Sequence, residues 1–208
     1  MIDNHEQSTE EQILQVAERL FLENGYALTS TTDIAKVVGC NQALIHYYYR
    51  TKENLFNIIF ELKFKEFFQR IVESNKSGEI GFVEKIKSLV ESHFELMKKN
   101  PKLPLLIINE LQKQPKLLNN FKELIHNIPG KLHAQLEAEL KVEIAAGRVR
   151  EINITNLLLT IISLNISLFL LIPFGKELFE LSDEQKNALI EQRKIEHVNI
   201  ILNNLRPY

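Results

Sequence analysis

Apolar residues recur along this chain at helical spacing, almost from end to end. Ile13, Ala17, Leu20 and Phe21 form the first stripe, behind a cap of Ser8 with Glu11 or Thr9 with Gln12, and Gly25 ends that helix before Tyr26. Ile34, Ala35 and Val38 give a short second helix its apolar face. Ser30 caps it with Asp33 three residues on, and Gly39 sits where the chain must turn sharply. Asn41 caps a third helix, Gln42 to Tyr48, whose Ile45 points back onto the second. Thr51 caps a fourth, about Lys52 to Ser74, which is apolar nearly all round and therefore has neighbours on several sides. After a loop over residues 75–81, a fifth helix spans Phe82 to Lys99 with Phe82, Ile86, Leu89, Val90, Phe94 and Met97 inward. A short sixth covers Leu103 to Lys113, and Pro115 opens a further segment through Asn127.

The spacing then predicts a break at Pro129-Gly130 and a helix from Lys131 to Ala146, ended by Gly147, with Glu137 and Lys141 paired on a solvated face. Residues 152–174 carry no charge, and Pro173 and Gly175 are expected to end that helix. Ser182 with Gln185 caps the last helix, Asp183 to Leu205, whose Leu189, Ile190, Ile195, Val198, Ile201, Leu202 and Leu205 make a broad apolar side.

With only 7 glycines and 6 prolines in 208 residues and no β-rich stretch with regular turns, the fold class expected is all-α. The uncharged run at 152–174 is long enough for a membrane span. It also holds Asn153, Thr155, Asn156, Thr160, Ser163, Asn165 and Ser167, which suit a buried protein interface better than lipid. Two long apolar helices at the end exceed what one small domain needs to bury. A two-fold dimer formed by residues 153–172 and 183–205 of each protomer, as a four-helix bundle, would bury them. No membrane partner is expected. The polar, acidic start has no signal-peptide pattern, and the single cysteine, Cys40, excludes an intramolecular disulfide, so the expected compartment is the cytoplasm.

Ala35, Gly39 and Ile45 are the small, turning and apolar positions that let two short helices cross closely, as in a helix-turn-helix. The aromatic run beyond them is more specific. His46, Tyr47, Tyr48 and Tyr49, then Arg50-Thr51-Lys52-Glu53-Asn54-Leu55, resemble the signature of the TetR/AcrR family of bacterial transcriptional regulators. The stretches TTDIAKVVG and NGY resemble the family pattern too, as does NPKLPLLIINELQKQP. The specific resemblance covers the first quarter of the chain. It implies a homeodomain-like three-helix DNA-binding domain at residues 1–50 and a helical effector-binding and dimerisation domain at 51–208. His46 stands where the family often has Tyr, and Tyr49 where it often has Phe; the second reads as a packing change.

The partners so implied are operator DNA, a small-molecule effector and a second copy. On the recognition helix, Gln42, Ala43, His46 and Tyr47 are the candidates for base contact, since Gln can bond adenine bidentately and Ala can meet a thymine methyl. Ser30, Thr31, Asn41, Tyr48 and Lys52 complete the DNA-binding set, with Thr31, Tyr48 and Lys52 as phosphate contacts. A lysine in a first helical turn opposes the helix dipole, which an anion held there would explain. Charge gives little help. The chain carries 25 basic and 27 acidic residues, and acids outnumber bases through Phe60. Yet between Asp33 and Glu53 every charge is basic: Lys36, Arg50 and Lys52. Modest non-specific affinity is expected.

The effector site is inferred largely from the resemblance. Phe64, Phe67, Phe68, His93, Phe94, Met97, Glu110, Phe121, His126, Asn165 and Phe169 are its candidate lining, and each alone also reads as core. Such a lining favours a lipophilic or aromatic ligand. The histidines lack zinc-site spacing, so no metal and no cofactor is expected. Without a nucleophile elbow, phosphate-binding glycine loop or Cys-His arrangement, no enzymatic activity is expected either. Two other readings stay open: a membrane-tethered regulator spanning at 152–174, and a protein-interaction module that kept the helix-turn-helix shape without binding DNA.

Overall fold

The structure, a computed structural model, describes residues 8–75, 80–113 and 129–207, with side chains except at residues 64, 67–75, 110–113 and 129–131. Among the described residues it is all helix: α1 Thr9–Asn24, α2 Thr31–Val38, α3 Gln42–Tyr49, α4 Lys52–Asn75, α5 Phe82–Lys99, α6 Leu103–Lys113, α7 Pro129–Ala145, α8 Ile154–Leu178 and α9 Asp183–Leu205. The expected segment from Pro115 to Asn127 lies outside the described residues. The chain divides into two compact units, Met1–Phe64 with Leu105–Asn120, and Lys65–Pro104 with Phe121–Tyr208.

In the first unit, α1 packs on α2, α2 on α3 and α1 on α3. Capping decides where these short helices start. Ser8 and Glu11 close a reciprocal capping box on α1, and Ser30 and Asp33 close one on α2, so the Ser8–Glu11 choice prevails over Thr9–Gln12. Gly39 ends α2 at φ 78°, ψ 26°, a left-handed conformation that costs glycine little and other residues more. Ile13, Ala17, Leu20, Phe21, Ile34, Ala35, Ile45, Tyr49, Leu55 and Phe56 are buried in this unit. Phe21, Tyr26 and Phe56 pack their rings together, and Phe60 stacks on Phe56.

In the second unit, α5 lies against α7, α8 and α9, and α8 against α7 and α9. All six apolar residues expected to face inward on α5 are buried, and so are His93 and Leu96. Helix α7 is described from Pro129, at the edge of the described residues, and so includes Pro129 and Gly130 ahead of Lys131. One expectation is corrected. Helix α8 runs through Pro173 to Leu178. A proline removes a single rung of the helical ladder, and the bonds beyond it continue to Phe179, whose N–H reaches the Gly175 carbonyl at 3.0 Å. By length and composition α8 could cross a membrane, which is weak evidence for a helix whose middle is tied into a helical core.

That tie is a buried polar chain. Asn165 is fully buried on α8, and its Nδ2 donates to the Val90 carbonyl and to His93 Nδ1, both at 3.1 Å. Its Oδ1 accepts from His197 Nδ1–H at 2.8 Å. Arg193, which can only donate, then reaches His197 Nε2 at 3.1 Å. The contacts fix both tautomers: His93 accepts at Nδ1, and His197 donates at Nδ1 and accepts at Nε2. Phe94 packs edge-on against both Phe169 and the His197 ring. Burial pushes His93 down to about 4, and burial together with the Arg193 charge pushes His197 down to about 4.

Unfolding returns both rings to an ordinary pKa of 6.5, so below that pH the unfolded chain binds more protons than the folded one. The stability that neutral burial contributes is complete above about pH 7 and is lost as pH falls from 6.5 towards 4. Between pH 7 and pH 5 we expect a loss of about 2 to 4 kcal/mol, from two groups at about 1.4 kcal/mol per pH unit. Urea denaturation at both pH values measures it. A His93→Gln/His197→Gln variant should lose much less over the same interval, and an equal loss would place the acid sensitivity elsewhere.

Candidate nucleic-acid interface

The surface of α2 and α3 is set by how these helices are held. Each has eight residues, too short to be stable alone, so both depend on caps and on packing. Asn41 caps α3 by accepting from the Ala43 N–H at 2.9 Å, while Ile45 and Tyr49 turn inward. Asn41, Gln42, Ala43, Leu44, His46 and Tyr47 are left exposed, with Tyr48 half-buried. Every residue read as a base contact therefore lies on the open face of α3.

Several of the candidates already have partners. Gln42 Nε2 donates to Thr31 Oγ1 at 2.9 Å, tying the first residue of α3 to the first of α2. An amide has two N–H donors, so Gln42 keeps one N–H and its carbonyl for a further contact. The Ser30 side chain and N–H are engaged with Asp33 in the cap, and these bonds hold the Asp33 carboxyl below the usual carboxylate range. Tyr47 and Tyr48 meet edge-to-face at 5.2 Å. Tyr49 is buried, and its hydroxyl donates to the Glu10 carbonyl at 2.9 Å. Burial, with smaller contributions from Glu10 and Tyr48, pushes that phenol up to about 12.

Lys52 is placed in a way its position in the chain does not reveal. Its ammonium donates to the carbonyls of Tyr26, at 2.9 Å, and Thr29, at 3.0 Å, and lies 4.2 Å from the centre of the Tyr26 ring. The buried Thr29 hydroxyl reaches the Leu20 and Gly25 carbonyls. Lys52 thus closes the turn between α1 and α2 from the start of α4. Between α3 and α4, Arg50 has φ 64° and ψ −54°, and the Thr51 N–H bonds the Tyr49 carbonyl at 2.7 Å. This is a γ-turn of positive φ, a strained conformation for a residue with a side chain. His46 Nδ1 lies 3.0 Å from the Arg50 carbonyl. No apolar or charge pattern in the sequence signals these last features.

Of the residues expected to line an effector site, the structure brings His93, Phe94, Asn165 and Phe169 together and buries Met97 on the same helix as His93 and Phe94. Within this group Asn165 Nδ2 bonds His93 Nδ1. His197 joins it and was missed, because its partner Asn165 lies 32 residues away on another helix. Phe121 and His126 lie outside the described residues, as do the side chains of Phe64, Phe67, Phe68 and Glu110. Elsewhere in the second unit, a cleft of about 600 Å³ is lined by residues 150–153 with Asn156, Thr160 and Asn204, none of them an effector candidate. Among the described residues no group of His, Cys, Asp and Glu could hold a metal ion.

Comparison with known proteins agrees with this geometry. Residues 13–59, from the first buried residue of α1 into α4, match the model for bacterial regulatory proteins of the tetR family. The fatty acid metabolism regulator protein of Bacillus subtilis is 26% identical over 140 residues, covering 67% of this chain and 70% of that one. The HTH-type transcriptional regulator QacR of Staphylococcus aureus is 44% identical over 46 residues, 22% of this chain and 24% of that one, so this match covers only a short segment. Among solved structures, the transcriptional regulator FadR from Bacillus subtilis in complex with stearoyl-CoA superposes with a TM-score of 0.69 at 20% identity, covering 94% of this chain and 99% of that one. With its three N-terminal helices, its open third helix and its all-helical second unit, the chain is similar to the TetR family of bacterial regulatory proteins, whose model its residues 13–59 match.

Proposed function

We propose that this chain is a TetR-family DNA-binding regulator, a cytoplasmic homodimeric repressor released from a pseudo-palindromic operator by a lipophilic effector. The observation that carries the DNA part is α3. It turns Ile45 and Tyr49 inward and presents Gln42, Ala43, His46 and Tyr47 on one open face. We assign these four to bases, and Ser30, Thr31, Asn41, Tyr48 and Lys52 to the phosphate backbone. An ammonium has three N–H donors and Lys52 commits two to carbonyls, so its share of phosphate contact is at most one N–H.

Support for a dimer comes from exposed apolar residues on the last two helices: Leu159 and Ile162 on α8, Ile195 and Ile200 on α9. For the effector, the apolar surroundings of His93, Phe94, Met97, Asn165 and Phe169 favour a lipophilic molecule. The fatty acid metabolism regulator and the stearoyl-CoA complex among the similar proteins point to a long acyl chain. Its coupling to DNA release is expected at about 1 to 3 kcal/mol, the ordinary range for two-site regulation.

Selection of binding sites from a random duplex library on the purified protein should enrich an inverted repeat, with half-sites about one helical turn apart or slightly more. Tyr48→Ala and Lys52→Ala should each weaken binding to it. For Lys52→Ala the slope of log affinity against log salt should fall by about 0.9, the value for one phosphate contact. Absence of any enriched repeat at low salt would favour the interaction-module reading.

Leu159→Glu with Ile195→Glu should convert the dimer into a folded monomer in sedimentation equilibrium. A dimer that survives both substitutions would put the interface elsewhere.

Stearoyl-CoA should release the selected duplex in an anisotropy titration, with free coenzyme A inactive. Equal release by both would show that the acyl chain is not what is recognised.

A further inference from the structure

We infer that His46 determines specificity by accepting a hydrogen bond at Nε2 in the major groove, so that it selects adenine or cytosine at the base it faces. The inference rests on the DNA-binding function proposed for α3 and adds to it the chemistry of one position. His46 Nδ1 lies 3.0 Å from the Arg50 carbonyl. A carbonyl only accepts, so Nδ1 carries the proton, and in the neutral ring Nε2 is then the atom with the lone pair.

The local backbone is what places that carbonyl. A carbonyl in a continuing helix points towards the C-terminus, out of reach of a side chain four residues earlier. At Arg50 the helix has ended with φ 64° and ψ −54°. The Arg50 N–H still closes on the His46 carbonyl at 3.0 Å, while the Arg50 carbonyl receives the His46 ring. Residues 46 and 50 are clasped at two points, and the imidazole is held in one orientation before DNA arrives. His46 is exposed, and among the described residues its Nε2 has no partner. It stands three and four residues beyond Ala43 and Gln42, on the same helix face.

What such an acceptor can bond in B-form DNA is limited. In the major groove only adenine N6 and cytosine N4 donate. Guanine O6 and N7, thymine O4 and the phosphate oxygens all accept. A neutral His46 held this way makes no hydrogen bond to a phosphate, a guanine or a thymine. A tyrosine hydroxyl can donate as well as accept, so histidine here narrows the choice of base.

The test is selection of sites from a random duplex library by the full chain as wild type, His46→Ala and His46→Arg. In the wild type, one symmetric position of each half-site should favour adenine or cytosine over guanine and thymine by about threefold to tenfold, the effect of one neutral hydrogen bond. His46→Ala should flatten that position and leave the others, and His46→Arg should move it to guanine. A guanine or thymine preference at the position that His46→Ala flattens would overturn the inference, as would no change at any position. Nitrogen-15 NMR of the histidine rings in the free protein should find Nδ1–H at His46, and an Nε2–H tautomer would overturn the inference without any DNA experiment. A wild-type protein that selects no repeat is a failure of the DNA-binding reading itself, and removes this inference with it.

Discussion

The DNA-binding unit depends on one ammonium group. Helices α2 and α3 bury only Ile34, Ala35, Ile45 and Tyr49 between them, too little apolar surface to fix an angle against the rest of the unit. Their position is inherited from the turn that leads into α2, and that turn is held by Lys52 on the Tyr26 and Thr29 carbonyls. Thr29 reinforces the turn from inside through the Leu20 and Gly25 carbonyls, and Tyr26 is wedged between Phe21 and Phe56 beneath the lysine. Carbonyls at such a turn carry the partial negative charge that a cation needs, so Lys52 can sit in a first helical turn without an anion bound there. The helix-dipole objection to a lysine at this place is answered within the protein.

Features governed by near neighbours were readable in the sequence. The capping boxes at Ser8, Ser30 and Ser182 are local hydrogen bonds between residues three apart, and all three form. The bounds of α5 and α9 and the start of α6 are set by glycine, proline and capping residues, and the structure keeps them. Features that depend on distant partners were not readable. Pro173 looked like a terminator because its local cost is visible, while the bonds that carry α8 past it depend on geometry farther along. His197 read as one more helical residue, since nothing within its own turn announces Asn165 on another helix. Lys52 could be placed in a helix but not on the two carbonyls, which belong to residues 23 and 26 positions earlier. Residues with a single candidate role were thus easier to place than residues able to bond in several directions.

The two units solve the problem of polar groups in opposite ways. In the second unit Asn165, His93 and His197 are withdrawn from water, and each spends its polar atoms on a neighbour, which orients all three side chains. An apolar residue at position 165 would pack but would leave the Val90 carbonyl and the His197 N–H without this partner. The network therefore selects one arrangement of α5, α8 and α9 among the many that apolar stripes alone permit. In the first unit the same kinds of groups sit on the surface, and several remain only partly used: Gln42 has an N–H left, and His46 a lone pair.

The charge balance gives that difference its consequence. A DNA-binding unit whose acids outnumber its bases gains little from the general attraction between cations and phosphate. It must obtain more of its discrimination from directed hydrogen bonds, and directed bonds are effective only from side chains already oriented. Gln42 is oriented by Thr31, and His46 by the Arg50 carbonyl. The strained turn at Arg50 fits this requirement: backbone strain persists where the surrounding structure enforces it, and here the enforced conformation points a carbonyl at the recognition helix. A more basic surface could tolerate loosely held readers. If α3 reads bases as proposed, this one holds Gln42 and His46 in place before contact.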